Sequence, residues 1–315
     1  MDKDIFMEFT AGEDDEGKRL DRLLRTLLKD ASLSLVYSAI RKGHIRLDGK
    51  KVPQNTRVHT GNVISIKRNL KDTIKKKTEN LRTQYVIKPD DILMENRHLL
   101  AINKHPGIPT HGKGSLTDSV RSYLSGKLSD SLAFSPSPLH RLDKISSGIV
   151  VFSSSIDGAR WFTRMMRERR FLKYYLALME GCAKKVETWT DNLEKDFKGV
   201  RKKETGKKAI THVTPIVNGK DLSLVVCRIE TGLTHQIRVQ AALHSHVLAG
   251  DKRYGSRLEI KPFLHAFFLK PQEDSSFLPA EGITAQPHTE SRSILDKFLP
   301  DWEKAFYDFL SSISQ

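Results

Sequence analysis

The segment HRLDKISSGIVVF, His140 to Phe152, sets Asp143 in a basic-acidic turn that runs through Ser146, Ser147 and Gly148 into an apolar stretch with the character of a buried strand. An ionised carboxylate at such a turn can act as nucleophile or as general base. Taken alone, Arg141 and Asp143 suit a structural ion pair at a strand entrance equally well. FLKYYLALMEG, Phe171 to Gly181, supplies Tyr175. Its ring offers a stacking plane and its hydroxyl a proton-transfer group, although a place in the core is the commoner fate of a tyrosine. Strand alternation puts Tyr175 on one face with Lys173 and Ala177.

Two rival constellations are weaker. GIPTHGKG, Gly107 to Gly114, has the G-x-x-x-x-G-K spacing of a phosphate-binding loop between a strand-like run and a helical one. Gly114 stands where a Ser or Thr must hold magnesium, and no apolar strand ending in a metal-binding Asp follows, so no nucleotide cofactor is expected. His235, His244, His246 and Asp251 match no helical ligand pair, so no metal is expected either. Cys182 and Cys227 lie in strand-like runs and read as small buried hydrophobes.

The elements that must position these groups fall into two sets. From Arg19 onward, Leu20, Leu23, Leu24, Leu27 and Leu28 follow the stripe of an amphipathic helix. Ser34 is placed to cap a second helix carrying Tyr37, Ile40, Arg41 and Lys42, and Gly43 is a natural left-handed stop. Ile45, Leu47 and Val52 flank Asp48-Gly49, a two-residue hairpin signal, and Val63 to Ile66 closes the unit. KRNLKDTIKKKTENLR, Lys67 to Arg82, has no sustained apolar period and reads as a charged linker. The expected division is therefore a first domain over residues 1–67, a basic linker over 68–84 and a second domain over 85–315. Beyond Tyr85, strand-like runs at Leu99–Asn103, Ile149–Ser153, Phe171–Met179 and Leu222–Ile229 alternate with helical segments. The expected class is α+β: a small helix-hairpin domain, then a mixed, mainly antiparallel sheet with flanking helices. The polar, basic stretch Lys195 to Lys208 interrupts that pattern and has the character of a surface insertion.

Lys and Arg number 53 against 38 Asp and Glu, a formal charge of +15. Such an excess attracts polyanions, and nucleic acid is the first partner to expect. A membrane surface is disfavoured because no basic amphipathic helix has a large apolar face. MDKDIFMEFT at the start lacks the basic end and long apolar run of a signal peptide, and later apolar runs are too short to span a bilayer, so a cytoplasmic location is expected.

Further motifs surround Asp143. Lys173, Tyr175, Ala177 and Gly181 are followed by TGLTHQIRVQ, Thr231 to Gln240, then Gly250, Asp251, Tyr254 and Gly255, then Leu264, His265 and Ala266. With HRLD these resemble, in order, the signature segments of the RluA-type pseudouridine synthases across roughly residues 97 to 270. The first set of elements resembles the small RNA-binding domain named after ribosomal protein S-four, over roughly residues 17 to 67, with Arg41, Lys42, Arg46, Lys50 and Lys51 on its RNA face. The sequence departs from the family pattern at Ser146 for threonine, at Leu233 for the arginine of TGRTH, and at KHPG, Lys104 to Gly107, where the proline is shifted by one place.

The resemblance implies an isomerase that turns uridine into pseudouridine without metal or cofactor, with Asp143 as catalytic carboxylate, Arg238 as its guanidinium partner and Tyr175 against the uracil. Either use of Asp143, attack on the sugar or removal of a ribose proton, needs the charged form that a nearby cation favours. Arg141 inherits the role of filling the space left by the extruded base, beside His140 at the RNA. The layout is most similar to bacterial enzymes acting on large-subunit ribosomal RNA, and a monomer is expected. The rival of another class is a non-catalytic RNA-binding or ribosome-assembly protein. Simple binding, however, does not require a carboxylate facing a polyanion.

Overall fold

The computed structural model describes residues 6–28, 31–68, 70, 85–125, 132, 134–195 and 199–314. The expected linker falls outside these apart from Arg68 and Leu70, and Leu70 packs into the hydrophobic core of the first unit.

That core joins strands β1 (Phe6–Thr10), β2 (Ile45–Leu47) and β3 (Val63–Lys67), in the antiparallel order β1-β3-β2, to helices α1 (Leu20–Leu27) and α2 (Leu33–Lys42). The leucine stripe does what its spacing requires: Leu20, Leu23, Leu24 and Leu28 are buried with Val36, Ile40, Ile64 and Ile66. Strand β1 has no clear signal in the sequence because FMEFT is only half-buried along the edge of β3. The cap of α2 is Ser32, not Ser34: the Ser32 hydroxyl accepts from Leu35 N at 3.2 Å. Ser34 lies inside the first turn, beyond reach of that role. Asp48 (φ 48°) and Gly49 (φ 75°) form the expected two-residue turn, with Leu47 and Lys50 exchanging backbone hydrogen bonds of 2.9 Å.

The second unit is one large mixed sheet of β4 (Ile92–Glu95), β5 (Leu99–Lys104), β6 (Ser147–Ser153), β7 (Phe171–Glu180), β8 (Glu187–Lys195), β9 (Val200–Lys202), β10 (Lys207–Asn218), β11 (Leu222–Ile229), β12 (Leu264–Pro271) and β13 (Ile283–Thr284). The order is β4-β5-β6-β12-β7-β11-β10-β8-β9, with β13 on β12. Among the described residues every pairing is antiparallel except β6 with β12, the seam between the two halves. Gly148 makes that seam possible: its φ is 104°, and a Cβ there would sit 2.2 Å from the Ala266 carbonyl oxygen.

Alternation along β7 sorts its neighbours. Leu176 and Leu178 pack under α6 (Thr289–Phe298) and α7 (Trp302–Ser314) with Trp302 and Phe306. Tyr175 and Ala177 face the opposite side, toward α5 (Gln236–Leu243), while α3 (Leu116–Tyr123) covers Leu100, Ile102 and Val150. Helix α4 (Ile156–Arg167) lays Phe162 and Met165 on Leu99 and Val151. Within the basic stretch Lys195 to Lys208, β9 and the start of β10 are mostly exposed, so the expected surface position is met by strands. Lysine is a poor strand former by propensity but serves the edge of a sheet, where β9 sits. Cys227 is buried in β11, whereas Cys182 is exposed just past β7, contrary to expectation.

The two units touch. Asp14 Oδ1 accepts from Ile156 N at the start of α4 (3.3 Å), and Asp15 Oδ2 from Leu132 N (2.8 Å).

Candidate active site

Asp143 lies on the loop that enters β6. The loop is held on both sides: Ser146 N donates to Asp143 O (3.1 Å), and Gly107 N to Lys144 O (2.7 Å). Thr110 Oγ1 also bonds both polar backbone groups of Leu142. The Gly107–Gly114 segment, with its phosphate-loop spacing, thus buttresses the carboxylate loop.

Arg238 comes from α5, a helix buried nearly all round from Gln236 to Ala241. Polar side chains survive there because each is satisfied. Gln236 donates to Ile210 O and Thr211 Oγ1, and Gln240 donates to Asp191 and accepts from Thr211. Arg238 Nη1 donates to Asp143 Oδ2 at 3.1 Å, while Nε and Nη2 form a fork on Asp251 at 2.6 and 3.0 Å. The guanidinium is therefore fixed from behind by one carboxylate and presents its remaining edge to another. Burial by itself would weaken its hold on the proton, but Asp251 first and Asp143 second carry its pKa above the ordinary value.

Around this pair, His235 takes a left-handed conformation (φ 54°) at the start of α5, with Nε2 3.6 Å from Asp143 Oδ1 and Nδ1 2.7 Å from the Tyr254 hydroxyl. The Tyr254 ring underlies the Arg238 guanidinium at 5.0 Å. Burial pulls the His235 pKa down, against the opposing pull of Asp143. Asp143, Tyr175, Arg141, Arg238 and Leu233 line a cavity of about 110 Å³. Burial raises the Tyr175 hydroxyl pKa, and the negative charge of Asp143 raises it further, so the phenol stays neutral.

Of the groups singled out from sequence, Asp143, Arg238, Tyr175 and Arg141 come together here. His140 does not line this cavity: it is half-buried, its Nε2 accepts from Val151 N at 3.1 Å and its ring stacks on Phe162. Arg41, Lys42, Lys50 and Lys51 are exposed at the end of α2 and the β2 turn, while Arg46 is half-buried, hydrogen-bonded to Gly43 O and set over the Phe6 ring. Sequence reasoning places Asp251 in the Gly250–Gly255 segment but misses its anchoring of Arg238. It also misses Lys104, fully buried at the end of β5, with Nζ donating to the carbonyls of His105 and Ile108 at 2.9 Å. Burial lowers its pKa to about 7, opposed by Asp143. Leu233, which departs from the family's arginine, packs on the cluster of Leu193, Val200, Ala209 and Val239 that ties the β8–β9 edge to α5.

Residues 98–243 match the family model of RNA pseudouridylate synthases, and residues 18–64 match the S4 domain. Ribosomal large subunit pseudouridine synthase C of Escherichia coli K12 is 30% identical over 254 residues, 78% of each chain. The uncharacterized RNA pseudouridine synthase YlyB of Bacillus subtilis is 25% identical over 81% of this chain and 84% of its own. Human RNA Pseudouridylate Synthase Domain Containing 4 shares the fold, with a TM-score of 0.55 at 22% identity, over 65% of this chain and 92% of the human one. The ordered motifs, the sheet and the match across more than three quarters of a relative make this chain a member of the RluA family of RNA pseudouridine synthases, intramolecular isomerases, here with an N-terminal S4 domain.

Proposed function

We propose that the enzyme isomerises uridines of large-subunit ribosomal RNA, with Asp143 as the catalytic carboxylate, Arg238 as the cation that orients it and Tyr175 as the wall against the uracil. The observation that carries this reading is the Asp143–Arg238 contact on the wall of a cavity shared with Tyr175. Breaking the N1–C1′ bond and joining C5 to C1′ requires an anionic group beside the ribose while the freed base stays confined. Asp143 serves either attack at C1′ or removal of a ribose proton. A neutral Tyr175 can stack on the base and relay a proton at C5. Arg141, exposed at the cavity edge, fills the space left by the extruded nucleotide.

The division into residues 1–67, a linker 68–84 and 85–315 belongs to the same proposal, with Arg41, Lys42, Arg46, Lys50 and Lys51 of the first unit gripping RNA phosphates. The ribosomal target is supported by the name of the Escherichia coli relative. A ribosomal RNA target would fit a cytoplasmic location; among the described residues no helix is long and apolar enough to cross a membrane. Mapping pseudouridine in all cellular RNA with and without the protein tests the target. Loss of a modification in large-subunit ribosomal RNA is expected, and loss confined to transfer RNA would overturn it.

A further inference from the structure

Lys173 stands one alternation before Tyr175 on β7 and is 8% exposed. Its ammonium has no hydrogen-bond or ion-pair partner among the described residues. The contrast with Lys104 is direct. That buried lysine is satisfied by two carbonyl oxygens, as a structural cation must be.

The elements packed around Lys173 offer it nothing of opposite charge. A cavity of about 20 Å³ at its side is lined by Ile149 of β6, Met166 of α4, Tyr175 of β7, Ala266, Phe268 and Leu269 of β12, and His140. The His140 ring is neutral, its pKa lowered to about 4 by burial first and the Lys173 charge second. The charge that bears on Lys173 is another cation, Arg169, exposed at φ 58° between α4 and β7 and itself without a side-chain partner among the described residues. Glu230 also feels Arg169, but it is hydrogen-bonded to His212. A largely buried lysine whose ammonium lacks a partner and is not sealed from solvent, with a second cation bearing on it, is suited to receive an anion.

We propose that Lys173 and Arg169 bind a backbone phosphate of the RNA next to the nucleotide held at Asp143. Phosphate is the only anion that RNA carries. An uncharged base oxygen would not need two cations. Burial and the Arg169 charge push the Lys173 pKa down to about 8, so above that pH phosphate binding must take up a proton and affinity must fall. The proposal rests on reading the Asp143 cavity as the uridine site.

The test uses the full-length protein and transcribed large-subunit ribosomal RNA, with affinity measured against salt and pH. Lys173→Met should bind about ten-fold more weakly and flatten the slope of log affinity against log salt by roughly 0.7 to 0.9, the value for one phosphate. Lys173→Arg should restore the slope and remove the fall in affinity above pH 8, because arginine stays charged. An unchanged salt slope in Lys173→Met overturns the proposal, whatever happens to turnover. If that variant does not fold, the comparison of wild type with Lys173→Arg decides, and identical pH responses overturn it. Asp143→Asn run in parallel should keep the wild-type slope and lose turnover. Retained turnover there overturns the reading of the cavity and not the phosphate site, which the slopes judge.

Discussion

The first unit and the Asp143 cavity use positive charge in opposite ways. Arg41, Lys42, Lys50 and Lys51 stand in solvent with no ion-pair partner among the described residues. Arg238 is buried, with its polar edges assigned to two carboxylates. Exposed cations act on phosphates through a screened field, so their effects are graded, roughly additive and weakened by salt. A buried guanidinium fixes the direction of a carboxylate to within a hydrogen bond, so its loss is felt as a unit and hardly depends on salt. On the proposed reading, one region would set how long the RNA stays and the other whether anything happens to it.

The largest effect should come from Asp143→Asn, which keeps size and removes charge. Turnover should drop by about 10³-fold or more with RNA affinity held or improved, and the double variant with Arg238→Leu should be little worse than Asp143→Asn alone. Substantial pseudouridine formation by pure Asp143→Asn protein would sink the assignment. Asp251→Asn sharpens the comparison, because Asp251 lies behind Arg238 and does not line the cavity. It should lose about 10²-fold in turnover through misplacement of the guanidinium, with little change in affinity. If affinity falls instead, Asp251 belongs with the binding cations.

Replacing Arg41, Lys42, Lys50 and Lys51 together with alanine should leave single-turnover rates at saturating RNA close to wild type. Affinity should weaken, and the salt slope should fall by roughly 0.7 to 0.9 for each phosphate that is no longer neutralised. A collapse of the saturated rate would erase the division of labour.

The smallest effect is one of stability. Lys104 has a pKa of about 7 when folded against an ordinary value of 10.5, so between these values the unfolded chain holds a proton that the folded chain does not. Stability from this group is present above the higher value and is lost as pH falls through the lower one. In urea melts, wild type should therefore gain on Lys104→Met as pH rises from about 7 to about 10. A constant difference would mean that Lys104 stays charged beneath the Asp143 loop.

Local elements are legible wherever one spacing governs them. The leucine stripe of α1, the Asp48-Gly49 turn and the alternation of β7 follow from neighbours a few residues apart. Asp143, Tyr175 and Arg238 are found through motifs, not through any local property that marks them as neighbours in space. The roles of Asp251 and Lys104 escape for the same physical reason: a fork from Arg238 and a burial at the end of β5 are tertiary facts, and a Gly-Asp pair or a lysine before a histidine carries no trace of them. The strands within Lys195 to Lys208 escape because composition describes solvent exposure, which an edge strand also has.

The parallel seam between β6 and β12 bears on how the enzyme is made. His265 pairs with Ser147 across 118 residues of chain, and Arg238 meets Asp143 across 95. A ribosome adding about 5–20 residues per second delivers the arginine roughly 5 to 20 s after the aspartate. The first unit, closed by contacts near in sequence, can fold long before that. If Asp143 and Arg238 act together as proposed, the nascent chain can hold RNA before it can alter it, and the chemistry is withheld until β12 has left the tunnel and closed the seam.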